Sequence, residues 1–206
     1  TLAQKLKTEE YAEIREYMLN MKALGSMRLL WGAGKAARAT NVCAYNCAYI
    51  APSKWQDFGE IMYVLMCGTG LGYSVERQTV ELLPIIKKQT GVKLPTHVIA
   101  DSKEGWANAF VLGLQTWSEG NDIEFDYSQV RPEGSRLKTM GGRASGPRPL
   151  IELIEFSRRK MIEKQGRRLS PIDVHDIVCM IGQVVVSGGV RRSALISLSD
   201  LDDMEM

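Results

Sequence analysis

Between Asn41 and Glu76 the sequence changes its periodicity twice, and this limits the folds open to the chain more than any other feature. Residues 41–50 alternate and are rich in aromatics, which predicts a strand with Cys43, Tyr45, Cys47 and Tyr49 on one face. Ala51-Pro52-Ser53 makes a turn, and Lys54 to Met66 has helical spacing. Cys67 to Gly72 then reads as a glycine turn leading into a strand at Tyr73 to Glu76. A strand, helix, strand unit of this kind points to an α/β sheet or barrel.

The flanking segments extend that pattern. Thr8 to Leu24 predicts an amphipathic helix with an acidic first turn, stopped by Gly25, and a second short helix spans Met27 to Ala39. Residues 1–40 are therefore expected to be a helical lead-in and residues 41–206 the α/β region. Gln78 to Pro95 reads as a loop with one short element. Asp101-Ser102-Lys103-Glu104 opens a capped helix that continues through Trp106, Phe110 and Trp117 to a stop at Gly120. Ile123 to Tyr127 is a short strand, and the glycines and prolines from Arg131 to Pro149 forbid regular structure. Leu150 to Lys164 is an amphipathic helix; another starts at Ser170-Pro171 and runs to about Ile181. Gln183–Val186 and Ala194–Leu198 are apolar runs expected to be strands.

With 206 residues, 45% of them hydrophobic and 24% charged, the chain is long enough for a sizeable core in one large domain or a small pair. A net charge of +2 gives no whole-chain signal for nucleic acid or a membrane surface, so any anion is bound locally, for which basic residues between Arg131 and Arg168 are available. No apolar run approaches the roughly 20 residues of a membrane span. Four cysteines are too sparse for a disulfide framework, which points to a reducing cytoplasm. The start without Met and the acidic end at Asp200 to Met206 predict a fragment, or one part of a larger assembly.

Four segments hold residue types suited to chemistry. Cys47 sits in the apolar run Tyr45-Asn46-Cys47-Ala48-Tyr49-Ile50, where a thiol serves as nucleophile, metal ligand or half of a redox pair, or is simply buried. Cys43 and Cys47 lack the spacing of common zinc sites and have no second pair, so no metal site is expected. Gly68-Thr69-Gly70-Leu71-Gly72 is a poor dinucleotide fingerprint, because Val75 stands where the third glycine belongs; its backbone amides could still approach a ribose or phosphate, or form a plain turn. A phosphate-binding ATPase loop is excluded, since Gly34-Lys35 is followed by Ala36. The loop carrying Arg131, Arg136, Lys138, Arg143 and Arg148 suits a phosphorylated ligand or is a solvated surface loop. The arginines of Gly188-Gly189-Val190-Arg191-Arg192-Ser193 meet carboxylates or phosphates, in a structural ion pair or a site. His97 and His175 have no ligand-like neighbours and read as structural or surface residues.

Taken in order, Met27-Arg28-Leu29-Leu30-Trp31-Gly32-Ala33-Gly34-Lys35-Ala36, the Cys47 run, Gly68 to Gly72, Asp101 to Ala107, Arg131-Pro132-Glu133-Gly134 with Gly141 to Pro147, and Gly188 to Ala194 resemble class II ribonucleotide reductases. The likeness is strongest to the monomeric, adenosylcobalamin-dependent ribonucleoside-triphosphate reductases and runs from about Met27 to Asp200. It implies the first half of a ten-stranded α/β barrel preceded by N-terminal helices. Cys47 would match the reducing cysteine of the first barrel strand, which is oxidised to a disulfide as it gives electrons to the ribose. Asn46, Thr69 and Gly70 would contact the ribonucleotide substrate. The segment from Glu76 would match the first specificity loop and Arg131, Arg136, Lys138, Gly141 and Gly142 the second, responding to a deoxynucleotide or ATP effector. A thioredoxin-like reductant would regenerate the thiols.

The family's radical-bearing finger loop, with its Asn-Pro-Cys-Gly-Glu pattern, has no counterpart in the sequence. That departure implies that the disulfide partner of Cys47 and most of the cobalamin site lie in a missing segment or on a separate polypeptide. Two rival readings are a nucleotide-binding regulatory module that needs no thiol chemistry, and a nicotinamide oxidoreductase using the Gly68 to Gly72 turn.

Overall fold

A computed structural model describes residues 7–136, 143–187 and 194–206. The chain divides after Ala44 into two compact units. In the first, α1 (Thr8–Leu19) starts where the Glu10 carboxylate accepts the Lys7 N–H at 3.0 Å. It ends five residues before the expected Leu24: Met21 takes a left-handed φ of 54°, and the Lys22 N–H turns back to the Tyr17 carbonyl at 2.9 Å. The single helix expected over residues 27–39 is two, α2 (Met27–Gly32) and α3 (Lys35–Ala39), parted at Gly34 with φ 90°. A 3₁₀ turn (Asn41–Ala44) closes the unit and buries Cys43. The strand expected from Asn41 is thus shortened to β1 (Cys47–Ile50), and Cys43 shares no strand face with Cys47.

The second unit is built on parallel strands. After β1, α4 (Trp55–Met66) leads to β2 (Gly70–Ser74), which pairs β1 on one edge and β5 (Leu195–Leu198) on the other. A separate parallel pair, β3 (Lys93–Val98) with β4 (Asp122–Asp126), is joined by α6 (Lys103–Ser118). The short α5 (Arg77–Val80) follows β2, and α7 (Arg148–Glu163) and α8 (Pro171–Ser187) precede β5. The architecture is α/β with parallel strands, as the periodicity predicts. One apolar cluster unites α4 (Phe58, Ile61, Met62), β2 (Leu71, Tyr73), α6 (Phe110, Leu114), α7 (Leu150, Leu153) and α8 (Ile177, Ile181).

Two further expectations fail for local physical reasons. The glycine stretch is not a turn beyond Gly68, since Gly70 and Gly72 are ladder residues of β2 and only Gly68, at φ 80°, makes the bend. Gln183–Val186 is not a strand but the last turns of α8, with Val184 and Val185 buried; a short apolar run does not by itself distinguish a strand from an all-round buried helix.

Polar groups fix the helix starts. Asp57 accepts the Ser53 and Lys54 N–H groups at 2.8 and 3.1 Å, and Ser102 accepts the Gly105 N–H at 2.9 Å. Arg158 of α7 grips Asp122 of β4 with two hydrogen bonds of 2.9 and 2.6 Å. Asp173, 2% exposed, accepts the Ser170 N–H and hydroxyl at 2.9 and 2.7 Å and binds Lys160 of α7 and Lys164, which caps that helix, at 3.3 and 2.6 Å. Burial opposes its charge, but the hydrogen bonds from Lys164 and Ser170 outweigh that and hold its carboxyl below the usual carboxylate range.

A depressed carboxyl contributes stability above its unfolded pKa and loses it as pH falls through the folded value, so this clamp weakens below about pH 4. Asp173→Asn should narrow the gap between melting temperatures measured at pH 7 and at about pH 2.5, below the unfolded carboxyl value; an unchanged gap would remove Asp173 from the acid response. Gly120 ends α6 at φ +81°, where a Cβ would collide with the Lys88 carbonyl oxygen, whereas Gly134, at φ +84°, has nothing within 4 Å of that position. Gly120→Ala should cost about 2 kcal/mol or more and lower Tm by about 4–8 °C. Gly134→Ala, meeting only the backbone penalty, should cost about 1 kcal/mol.

Candidate active site

Register determines which side chains meet on the β1-β2-β5 sheet. Cys47 lies opposite Gly70, and Tyr49 opposite Gly72, which is opposite Ile196 on the next strand. Paired residues of parallel strands point to the same side, so Cys47, Tyr49 and Ile196 share one face with two glycines between them. The other face, through Ala48, Ile50, Leu71, Tyr73 and Leu195, packs on the core. Cys47, Tyr49 and Ile196 are exposed. A Cβ at Gly72 would come within 3.3 Å of Ile196 and 3.4 Å of Tyr49, so the glycine leaves a narrow slot floored by backbone, where a ligand can come close.

The amino ends of β1 and β2 are locked together beside this slot. The Gly70 N–H donates to the Asn46 carbonyl at 2.8 Å and the Thr69 hydroxyl to the Tyr45 carbonyl at 3.0 Å. Thr69 is buried, so its hydroxyl shapes the strand entry, while Asn46 is exposed. Cys47, Asn46, Thr69 and Gly70 are therefore brought together. No cysteine is in a disulfide.

The other expected site residues lie elsewhere. Glu76 sits past the carboxyl end of β2, where it accepts the Ser74 hydroxyl at 2.8 Å; the Ser74 oxygen also lies 3.2 Å from the Thr79 hydroxyl. Arg77 beside it donates its N–H to Asp200 at 2.8 Å and its guanidinium to Asp202, both bonds 3.3 Å, tying α5 to the segment after β5. Arg131 binds Asp101 through Nε at 2.9 and 2.8 Å. Arg136 pairs with Arg143 in an antiparallel bridge, braced by the Gly134 N–H to Ala144 carbonyl bond of 2.8 Å. Lys138, Gly141, Gly142 and the segment Gly188 to Ser193 fall outside the described residues.

Sequence reasoning missed a polar cluster on the core side of the sheet. Tyr73 of β2 places its hydroxyl 2.9 Å from His175 Nδ1 and 3.7 Å from Cys179 Sγ; Ser197 of β5 lies 3.3 Å from the same Nδ1, and Cys179 Sγ lies 3.4 Å from His175 Nε2. Burial, then the contact with Cys179, pushes the Tyr73 phenol well above its ordinary range. The spacing of His175 and Cys179, one helical turn apart, was the available signal.

Residues 84–158, which hold β3, α6, β4 and most of α7, match the family described as the insertion domain of B12-dependent ribonucleotide reductase. An adenosylcobalamin-dependent ribonucleoside-triphosphate reductase of Euglena gracilis is 32% identical over 98% of this chain and 29% of its own length. The enzyme of the same name from Lactobacillus leichmannii is 28% identical over 96% of this chain and 34% of its own length. The crystal structure of a B12-dependent (class II) ribonucleotide reductase superposes with a TM-score of 0.82 at 24% identity, over 96% of this chain and 35% of that one, which shows a shared fold. The chain thus spans about a third of the length of these relatives.

Cys47 and Cys179 are exposed while Cys43 and Cys67 are buried. Brief treatment with iodoacetamide should label the first two in native protein and the second two only after denaturation, as read by peptide mass spectrometry. Native labelling of Cys43 or Cys67 would contradict the packing.

Proposed function

The chain belongs to the B12-dependent ribonucleotide reductase family, and from that premise we propose that it supplies the opening part of the catalytic barrel of an adenosylcobalamin-dependent ribonucleoside-triphosphate reductase. The observation that carries the reading is the exposed Cys47 thiol on β1, next to the backbone-floored slot at Gly70 and Gly72. In this reading the ribonucleotide lies against the slot, with Asn46 and Gly70 at its ribose and buried Thr69 holding the strand entry in place. Cys47 delivers reducing equivalents to the ribose as it joins a second thiol in a disulfide. Cys67 is buried with Lys103 Nζ 3.7 Å from its sulfur and Cys179 lies on the core side of the sheet; the second thiol, as the resemblance implies, would belong to the rest of the reductase. A thioredoxin-like protein then restores both thiols in the cytoplasm.

Bound adenosylcobalamin would supply the radical that starts the reaction. The residues described here do not fit a corrin: the slot at Gly72 is only as wide as the gap between Tyr49 and Ile196. As the resemblance implies, the cofactor would be held mainly by parts of the reductase outside this chain, whose own role would be to bind, orient and reduce the nucleotide.

The loop after β4 is assigned to the effector. Arg136 and Arg143 sit opposite each other, an arrangement of like charges that an anionic nucleotide would relieve. Glu76, in the segment after β2, would belong to the first specificity loop, and Arg131, held by Asp101, would anchor the second at its base.

In the reductase containing this chain, Cys47→Ser should still consume nucleotide and release free base from a failed intermediate, while deoxynucleotide formation falls to almost nothing. Cys43→Ser and Cys67→Ser should keep making product. Near-parent deoxynucleotide yield from Cys47→Ser over many turnovers would make the thiol structural and favour a nucleotide-binding module without chemistry of its own.

A further inference from the structure

A second thiol, on the side of the sheet away from Cys47, stands in surroundings that suit chemistry. Cys179 is exposed on α8, yet its sulfur is approached by two groups from inside the protein, His175 Nε2 at 3.4 Å and the Tyr73 hydroxyl at 3.7 Å. The imidazole is held in turn at its other nitrogen, 2.9 Å from the Tyr73 oxygen and 3.3 Å from the Ser197 oxygen. Three elements, β2, α8 and β5, thus converge on one sulfur and its neighbouring base.

The hydrogen bonds close into a ring. One set of proton positions satisfies all three contacts: Nδ1–H donating to the Tyr73 oxygen, Tyr73 O–H donating to the sulfur, and the last proton between sulfur and Nε2. With that proton on sulfur the arrangement is thiol and neutral imidazole; with it on Nε2 it is thiolate and imidazolium. No other donor has to turn between the two states. Tyr73 remains a donor throughout, because burial, together with Cys179 beside it, holds the phenol protonated well beyond its ordinary range. A nucleophile beside a base that is itself oriented by a third group is the arrangement that activates thiols.

We propose that Cys179 is a redox-modification site that reacts with small hydroperoxides, with His175 as its acid–base partner and Tyr73 as the residue that positions them. The thiol proton passes to Nε2, and the sulfur attacks the terminal peroxide oxygen. The S–O bond forms as the O–O bond breaks; sulfur gives up two electrons, which the peroxide takes. The leaving hydroxide or alkoxide receives the proton from Nε2, so the products are a sulfenic acid at Cys179 and water or an alcohol. A metal ion is the weaker reading of the cluster, because only Sγ and Nε2 would face it and no group of three such ligands exists among the described residues. The proposal does not depend on the role given to Cys47.

The test is to treat the isolated protein with substoichiometric hydrogen peroxide, trap sulfenic acid with dimedone and quantify each cysteine by mass spectrometry. Cys179 should be trapped at least about ten times faster than exposed Cys47. His175→Gln should slow Cys179 about ten-fold and Tyr73→Phe about three-fold, both without changing Cys47. Continued protection of Cys43 and Cys67 from alkylation reports that each variant is folded. Should His175→Gln not fold, Tyr73→Phe, which keeps the ring and its packing, decides alone. Equal trapping at Cys179 and Cys47, or a Cys179 rate unaffected by the folded variants, would overturn the assignment.

Discussion

The second unit depends on β2 lying flat between two parallel neighbours. Its amides are shared between them: Gly70 N–H goes to Asn46 at 2.8 Å, while Leu71 and Val75 N–H groups go to Ala194 and Leu198, both at 2.8 Å. At Gly70 and Gly72 the space a side chain would need is already bordered by Ala194, Tyr49 and Ile196 at 3.3 to 3.4 Å. Glycine there costs backbone entropy. What it secures is a sheet whose core face is conventional, through Leu71 and Tyr73, and whose other face is bare backbone flanked by Cys47. The same two residues that weaken the strand leave that face open to the backbone.

Strand β2 pairs with β5 although more than a hundred residues separate them in sequence. The insertion-domain match at residues 84–158 falls wholly within that interval and contains the whole β3-β4 pair. The inserted part is nevertheless not loosely tethered. Helix α6 packs on α4, where Gly59 lies so near Val111 that a Cβ would meet it, and α7 is bound to β4 through Arg158 and to α8 through buried Asp173. An ion pair this deep is costly unless fully satisfied, and Asp173 has both lysines and the Ser170 groups around it.

What could be seen in the sequence was local. Helices α4, α6 and α7 carry their own caps and amphipathic faces in Asp57, Ser102, Gly120 and the Leu150 to Met161 stripe, and their ends fall within two residues of expectation. The failures were at positions that packing decides. Val184 and Val185 are as compatible with a strand as with a helix until neighbours surround them, and a glycine-rich stretch reads as a turn until flanking strands use its amides. Cys47 stood out because it lies in a short motif with Asn46 and Tyr49. The Cys179 cluster did not, because its members come from β2, α8 and β5, and His175 has no charged or cysteine neighbour within three residues except Asp173 and Asp176, which serve Lys160 and Lys164.

The sheet therefore separates two sulfurs with opposite surroundings. Cys47 stands beside exposed Tyr49 and two glycines, and among the described residues no hydrogen bond to its sulfur is found. Cys179 has its base and its hydroxyl donor in place within 3.7 Å, supplied by the strands it packs on. A thiol beside a base is the arrangement that favours attack on small oxidants. Tyr73 lies at the junction of the two arrangements: its backbone sits in the strand that floors the Cys47 face, and its hydroxyl points to the Cys179 face.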